Sequence, residues 1–90
     1  MIYRVVWLKT ALKELAEAWL QSDSATRNIL TAASYATDQQ LSRDPLADSE
    51  SREGVTRIVF VEPLAVTYQI EPDGQTVTVL HVRKFRTHTN

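Results

Sequence analysis

Residues 55–86, VTRIVFVEPLAVTYQIEPDGQTVTVLHVRKFR, constrain the fold more than any other part of the chain. They read as three short β-rich runs (55–62, 64–70 and 76–82) separated by two sharp reversals. Glu62-Pro63 makes a corner between the first two runs. Glu71-Pro72-Asp73-Gly74 has the residue order of a type I turn, with glycine supplying the positive φ that a bulged hairpin needs. Three strands in so short a span form an antiparallel meander, which must be covered on one face by whatever precedes it.

Residues 2–8 (IYRVVWL) are β-branched and aromatic, with only Arg4 strongly polar, and predict an opening strand. The period then changes. Thr10 is placed to cap a helix, and Leu12, Leu15, Ala16, Trp19 and Leu20 fall at i, i+3, i+4, i+7 and i+8. Lys13, Glu14, Glu17 and Gln21 occupy the opposite, solvated face. Ser22-Asp23-Ser24 ends this helix and caps a second over about 25–43. Its stripe is Ile29, Ala32, Ala33 and Ala36, continuing to Gln40 or Leu41. Asp44-Pro45 stops it, because the ring disfavours helix at the preceding residue. Residues 44–54 read as an acidic loop that Leu46 pins to the core. The order is β-α-α-β-β-β: an α+β domain with a helical hairpin on one face of an antiparallel-rich sheet.

Ninety residues suffice for one core, and residues beyond about 86 are expected to form a flexible tail. The absence of cysteine excludes disulfides, thiol nucleophiles and thiolate metal sites. His81 and His88 have no carboxylate or cysteine close enough in sequence to complete a metal site, and two glycines cannot build a phosphate-binding loop. No cofactor is expected. No apolar run reaches membrane-spanning length and the first residues do not resemble a signal peptide, so the expected setting is cytoplasmic, away from membranes. The net charge of −1 excludes a surface uniformly positive for nucleic acid. Charge is segregated instead: +1 over residues 1–20, −3 over 21–54 and +1 over 55–90.

The β-α-α-β-β-β order, YRVVWLKTALKELAE at the start, and GVTRIVFVEPLAVTYQI with QTVTVLHVRKFR at the end resemble the RelE/ParE superfamily. These are the toxin halves of type II toxin–antitoxin modules, and the resemblance spans nearly the whole chain. It implies a cognate antitoxin as partner. In RelE-like members, cationic side chains on the sheet hold mRNA in the ribosome and assist its cleavage. That reaction needs a proton acceptor for the attacking 2′-OH, a cation for the phosphate oxygens and a proton donor for the leaving oxygen. Carried to this sequence, the resemblance makes Arg57, Lys84 and Arg86 the cations, with His81 and Tyr68 as acid–base groups and Arg83 as a further anion contact. Two positions depart from the family pattern: Ala65 stands where an arginine is common, and Phe85 where a catalytic arginine is expected.

Each candidate has a plainer role as well. Arg57 suits a phosphate contact or a solvated strand residue paired with Glu62 or a loop acid. Arg83, Lys84 and Arg86 around Phe85 suit phosphate and stacking contacts, or a charged strand end. His81 shares the alternation of Val77 and Val79, which favours a packed histidine over a catalyst. Tyr68, in mid-strand, suits ring packing with a wetted hydroxyl. Trp7 and Trp19 read as core. Three functions fit this pattern: a RelE-type ribosome-dependent endoribonuclease, a ParE-like inhibitor of DNA gyrase that cleaves nothing, and a non-toxic protein-binding domain.

Overall fold

A computed structural model describes residues 2–47, 49–51 and 54–85. The elements run β1 (Arg4–Trp7), α1 (Lys9–Leu20), α2 (Ser24–Arg43), β2 (Ser49–Ser51), β3 (Thr56–Val61), β4 (Leu64–Ile70) and β5 (Thr76–Lys84). One five-stranded sheet has the order β1-β5-β4-β3-β2. β1 runs parallel to β5, and the other pairs are antiparallel. The chain from β1 to its parallel partner β5 runs through the helical hairpin and β2–β4, a crossover long enough for such a pair.

The meander forms where its turns predict it. Gly74 takes φ +69, and its N–H donates to the Glu71 carbonyl at 2.9 Å. The Asp73 carboxylate braces the turn by accepting the Gln75 N–H at 2.8 Å and the Thr76 hydroxyl at 2.9 Å. Those bonds, led by the Gln75 N–H, hold Asp73 below the ordinary carboxylate range. Glu71 is likewise lowered by the Thr78 hydroxyl and the Gln69 amide.

One face of the sheet carries Val59, Leu64, Val66, Tyr68, Val77, Val79 and Val82 against the helices, and among the described residues the opposite face is open. The helices are rotated from the faces that the sequence predicts. On α1 the inward residues are Ala11, Leu15 and Ala18, whereas Leu12, Trp19 and Leu20 are exposed. On α2 they are Leu30, Ala33, Thr37 and Leu41, and Ile29, Ala32 and Ala36 face outward. The physical reason is close approach: the small residues Ala11, Ala18 and Ala33 allow the helices to sit near the strands, and the displaced large residues form an outer apolar surface. Thr37 is tolerated inside because its hydroxyl donates to the Ala33 carbonyl at 2.8 Å.

Three local expectations are corrected. α1 begins at Lys9 with Leu8 as its cap residue and no side-chain cap, so Thr10 lies inside the helix. Asp23 does cap α2, accepting the Thr26 N–H at 2.8 Å, and that bond leads the causes that lower its carboxyl. The 44–54 segment contains β2, which pairs with β3; its Ser-Glu-Ser sequence has no apolar period to betray it. Leu46 is exposed, and Pro45 is the buried anchor, its carbonyl accepting the Tyr68 hydroxyl.

Candidate functional site

β5 changes register halfway along. Tyr68 pairs with Val79 but Thr67 pairs with His81, so Leu80 is an extra residue on β5. Before this bulge the odd-numbered residues Val77 and Val79 face the helices. After it the buried residue is Val82, and His81 and Arg83 turn to the open face. The alternation that aligned His81 with Val77 and Val79 therefore fails, because one inserted residue reverses every side chain beyond it.

On the open face the strands align two rows, Phe60–Ala65–Arg83 and Ile58–Thr67–His81. Together with Phe85 and Glu14 they line a groove of about 620 Å³. Phe60 and Phe85 meet edge to face, with centroids 5.6 Å apart at 89°. Phe85 is fixed by its N–H, which donates to the Pro63 carbonyl at 2.9 Å.

Glu14 enters this groove from α1. β1 covers β5 only as far as Val79, where the Leu8 N–H donates to the Val79 carbonyl at 3.0 Å. Beyond that point the chain has turned into α1, and the edge of β5 needs another partner. Glu14 supplies it: Oε1 accepts the Val82 N–H at 2.9 Å, and Oε2 lies 3.3 Å from His81 Nδ1. The carboxylate thus closes the strand edge and orients the imidazole, leaving Nε2 for the groove. In sequence Glu14 belongs to the solvated helix face and Phe60 to an apolar strand run, so neither is singled out. Only the pairing of distant elements reveals them.

The other predicted site residues lie elsewhere. Arg57 is on the helix-facing side beside Tyr68 and reaches the sheet edge, donating from Nε to Ser49 Oγ at 2.9 Å. Ser49 is its partner among the described residues; of the loop acids that the sequence offers, Asp48 and Glu53 lie outside them. Tyr68 is wholly buried. Lys84 pairs with Leu64 at the end of the helix-facing row, and its charge adds to the field that lowers Asp23. Of the candidates, His81 and Arg83 share the groove; Arg86 and His88 lie outside the described residues. Trp7 and Trp19 border the helical hairpin, donating to Asp38 Oδ1 at 3.1 Å and Thr31 Oγ1 at 3.2 Å. Among the described residues no cluster of histidines and carboxylates suits a metal ion. No described helix is long and apolar enough to cross a membrane.

No protein-family model and no curated protein matches the sequence. Solved structures do match it along nearly its whole length. A chain of the RelBE2 toxin–antitoxin complex from Mycobacterium tuberculosis is 25% identical, with 93% of this chain and 99% of that one covered at a TM-score of 0.74. The archaeal RelE–RelB complex from Pyrococcus horikoshii OT3 gives 17% identity, 93% and 96% coverage and a TM-score of 0.67. The chromosomal ParDE system from P. aeruginosa gives 12%, 94% and 98%, and 0.72. With two helices on one face of a five-stranded sheet, and this agreement from end to end, the chain has the fold of the RelE/ParE toxin superfamily.

Proposed function

We propose that this chain is the toxin of a type II toxin–antitoxin module and that it cleaves mRNA on the ribosome, using the open-face groove. The observation that carries this reading is the convergence of His81, Arg83 and Glu14 through the Leu80 bulge. His81, held by Glu14, exchanges a proton with the attacking 2′-OH or the leaving 5′-oxygen, and Arg83 neutralises the phosphate between them. Arg57 and Tyr68, turned to the other face, serve the fold. The partner is a cognate antitoxin, to which the outer surface of the helices offers Leu12, Trp19, Leu20, Ile29 and Tyr35.

The test is cleavage of a defined mRNA by the purified chain on programmed ribosomes. His81→Ala and Arg83→Ala are expected to lower the rate by about a hundredfold or more. Undiminished cleavage in the double variant removes this site.

A ParE-like reading has its own support. The ParDE structure matches nearly as well as RelBE2, and much of the groove wall is apolar, from Ile58, Phe60, Ala65 and Phe85. Inhibition of DNA gyrase supercoiling, with ribosomal mRNA left intact, would establish it instead. If neither activity occurs while a small partner is bound tightly, the chain is a binding domain on a toxin fold.

A further inference from the structure

The middle of the Phe60–Ala65–Arg83 row is a gap. Phe60 and Arg83 rise from strands on either side of β4, roughly 9.6 Å apart at Cα, two interstrand spacings. Between them Ala65 contributes only a methyl group. Phe60 leans across β4 toward Phe85, and the open part of the groove is bounded by Phe60, Ala65, Thr67 and Arg83, where a planar ring can rest on one wall at about 3.5 Å, van der Waals contact. Phe60 remains half exposed although an aromatic neighbour holds it in place. A large apolar ring fixed in orientation and left open to solvent is a preorganised stacking surface. Thr67 adds a hydroxyl to the floor, and Arg83 brings a cation to the far wall.

From this arrangement we infer that the groove contains a nucleobase slot, in which a base stacks on Phe60 above Ala65 while its phosphate meets Arg83. The slot deepens, and rests on, the reading of the groove as an RNA site. A base fits better than an aromatic side chain of a protein partner because cation and ring stand together, as a nucleotide requires. Phe60 and Ala65 are then specificity-determining residues: one supplies the stacking face and the other the space.

The test is an NMR titration of the whole chain with adenosine 5′-monophosphate, ribose 5-phosphate and N-acetylphenylalanine amide. Adenosine 5′-monophosphate is expected to shift Phe60, Ala65 and Arg83 resonances and to bind about tenfold or more tightly than ribose 5-phosphate. Phe60→Ala lowers the nucleotide affinity by roughly five- to hundredfold, the range found for lost base stacking, without changing that for ribose 5-phosphate. Ala65→Leu fills the floor and abolishes the advantage of the base; its side chain points away from the core, so the fold is retained. Equal binding of the two phosphates, no binding of the nucleotide, or a base-dependent gain that survives both substitutions overturns the slot. Tighter binding of the phenylalanine amide than of the nucleotide assigns the gap to a protein partner and also overturns it. The cleavage proposal fails separately. A chain that holds the nucleotide at Phe60 yet leaves mRNA intact on the ribosome keeps the slot and loses the reaction.

Discussion

Tyr68→Phe separates a structural tyrosine from a catalytic one. The change deletes one oxygen and leaves a ring that is completely withdrawn from solvent, so packing is nearly conserved. What is lost is the hydroxyl that donates to the carbonyl of Pro45, itself a buried residue in the α2–β2 connection. A net hydrogen bond contributes about 0.5–1.5 kcal/mol, and a buried acceptor left without its donor costs about 1–3 kcal/mol. The connection lies at the surface and can shift to wet its carbonyl, which places the expected loss near 1.5 kcal/mol. For a domain of this size, such a loss lowers Tm by roughly 6–12 °C. Tyr68→Ala removes the ring as well and is expected to cost about 3–5 kcal/mol, a large part of the total stability of so small a protein. Urea unfolding followed by the fluorescence of Trp7 and Trp19 measures both, and ribosomal cleavage below the transition reports function. The reasoning is refuted if Tyr68→Phe unfolds within about 0.3 kcal/mol of the wild type, or if it abolishes cleavage while leaving the urea midpoint unmoved.

Three further outcomes follow from the same structure. Asp23, Glu71 and Asp73 are all held below the ordinary carboxylate range when folded, so the unfolded chain takes up protons first; stability is full above about pH 5 and falls as pH drops through 4 and below, as thermal melts across pH will record, and a flat profile contradicts those bonds. Gly74→Ala forces an L side chain to φ +69 with no compensating contact, and is expected to cost about 1–2 kcal/mol in urea unfolding. Arg27→Ala removes donors to the carbonyls of Trp19 and Leu20 at the end of α1 and the guanidinium 4.4 Å above the Trp19 ring; a loss of about 1 kcal/mol and a changed Trp19 emission are expected, with Arg27→Lys restoring only part of each.

The local grammar of this protein is written in its sequence. Pro45 and Pro63 restrict their own φ and the residue before them, and Gly74 admits the positive φ of a tight turn, so the end of α2 and both meander turns are legible from residue types alone. The β-branched and aromatic runs between these turns mark the longer strands, and the resemblance of the meander to known toxins followed from them. Facing is a different matter. α1 has apolar residues on more than one side, and only contact with β5 determines that Ala11 and Ala18 turn inward while Leu12 and Trp19 stay out. β2 exists because β3 offers an edge to pair with, not because Ser-Glu-Ser prefers to be extended. The site depended most on tertiary structure. A single unpaired residue, Leu80, reverses the facing of His81 and Arg83, and an α1 carboxylate 67 positions from His81 completes the strand edge. Strand alternation carries no mark of a bulge, and helix periodicity cannot show which polar residue a distant backbone N–H will require. The sequence by itself determined the turns, both helices, the longer strands and the family likeness; the pairing of β3 with β2 and of β5 with β4 and α1 decided the sheet edge and which side chains share the groove.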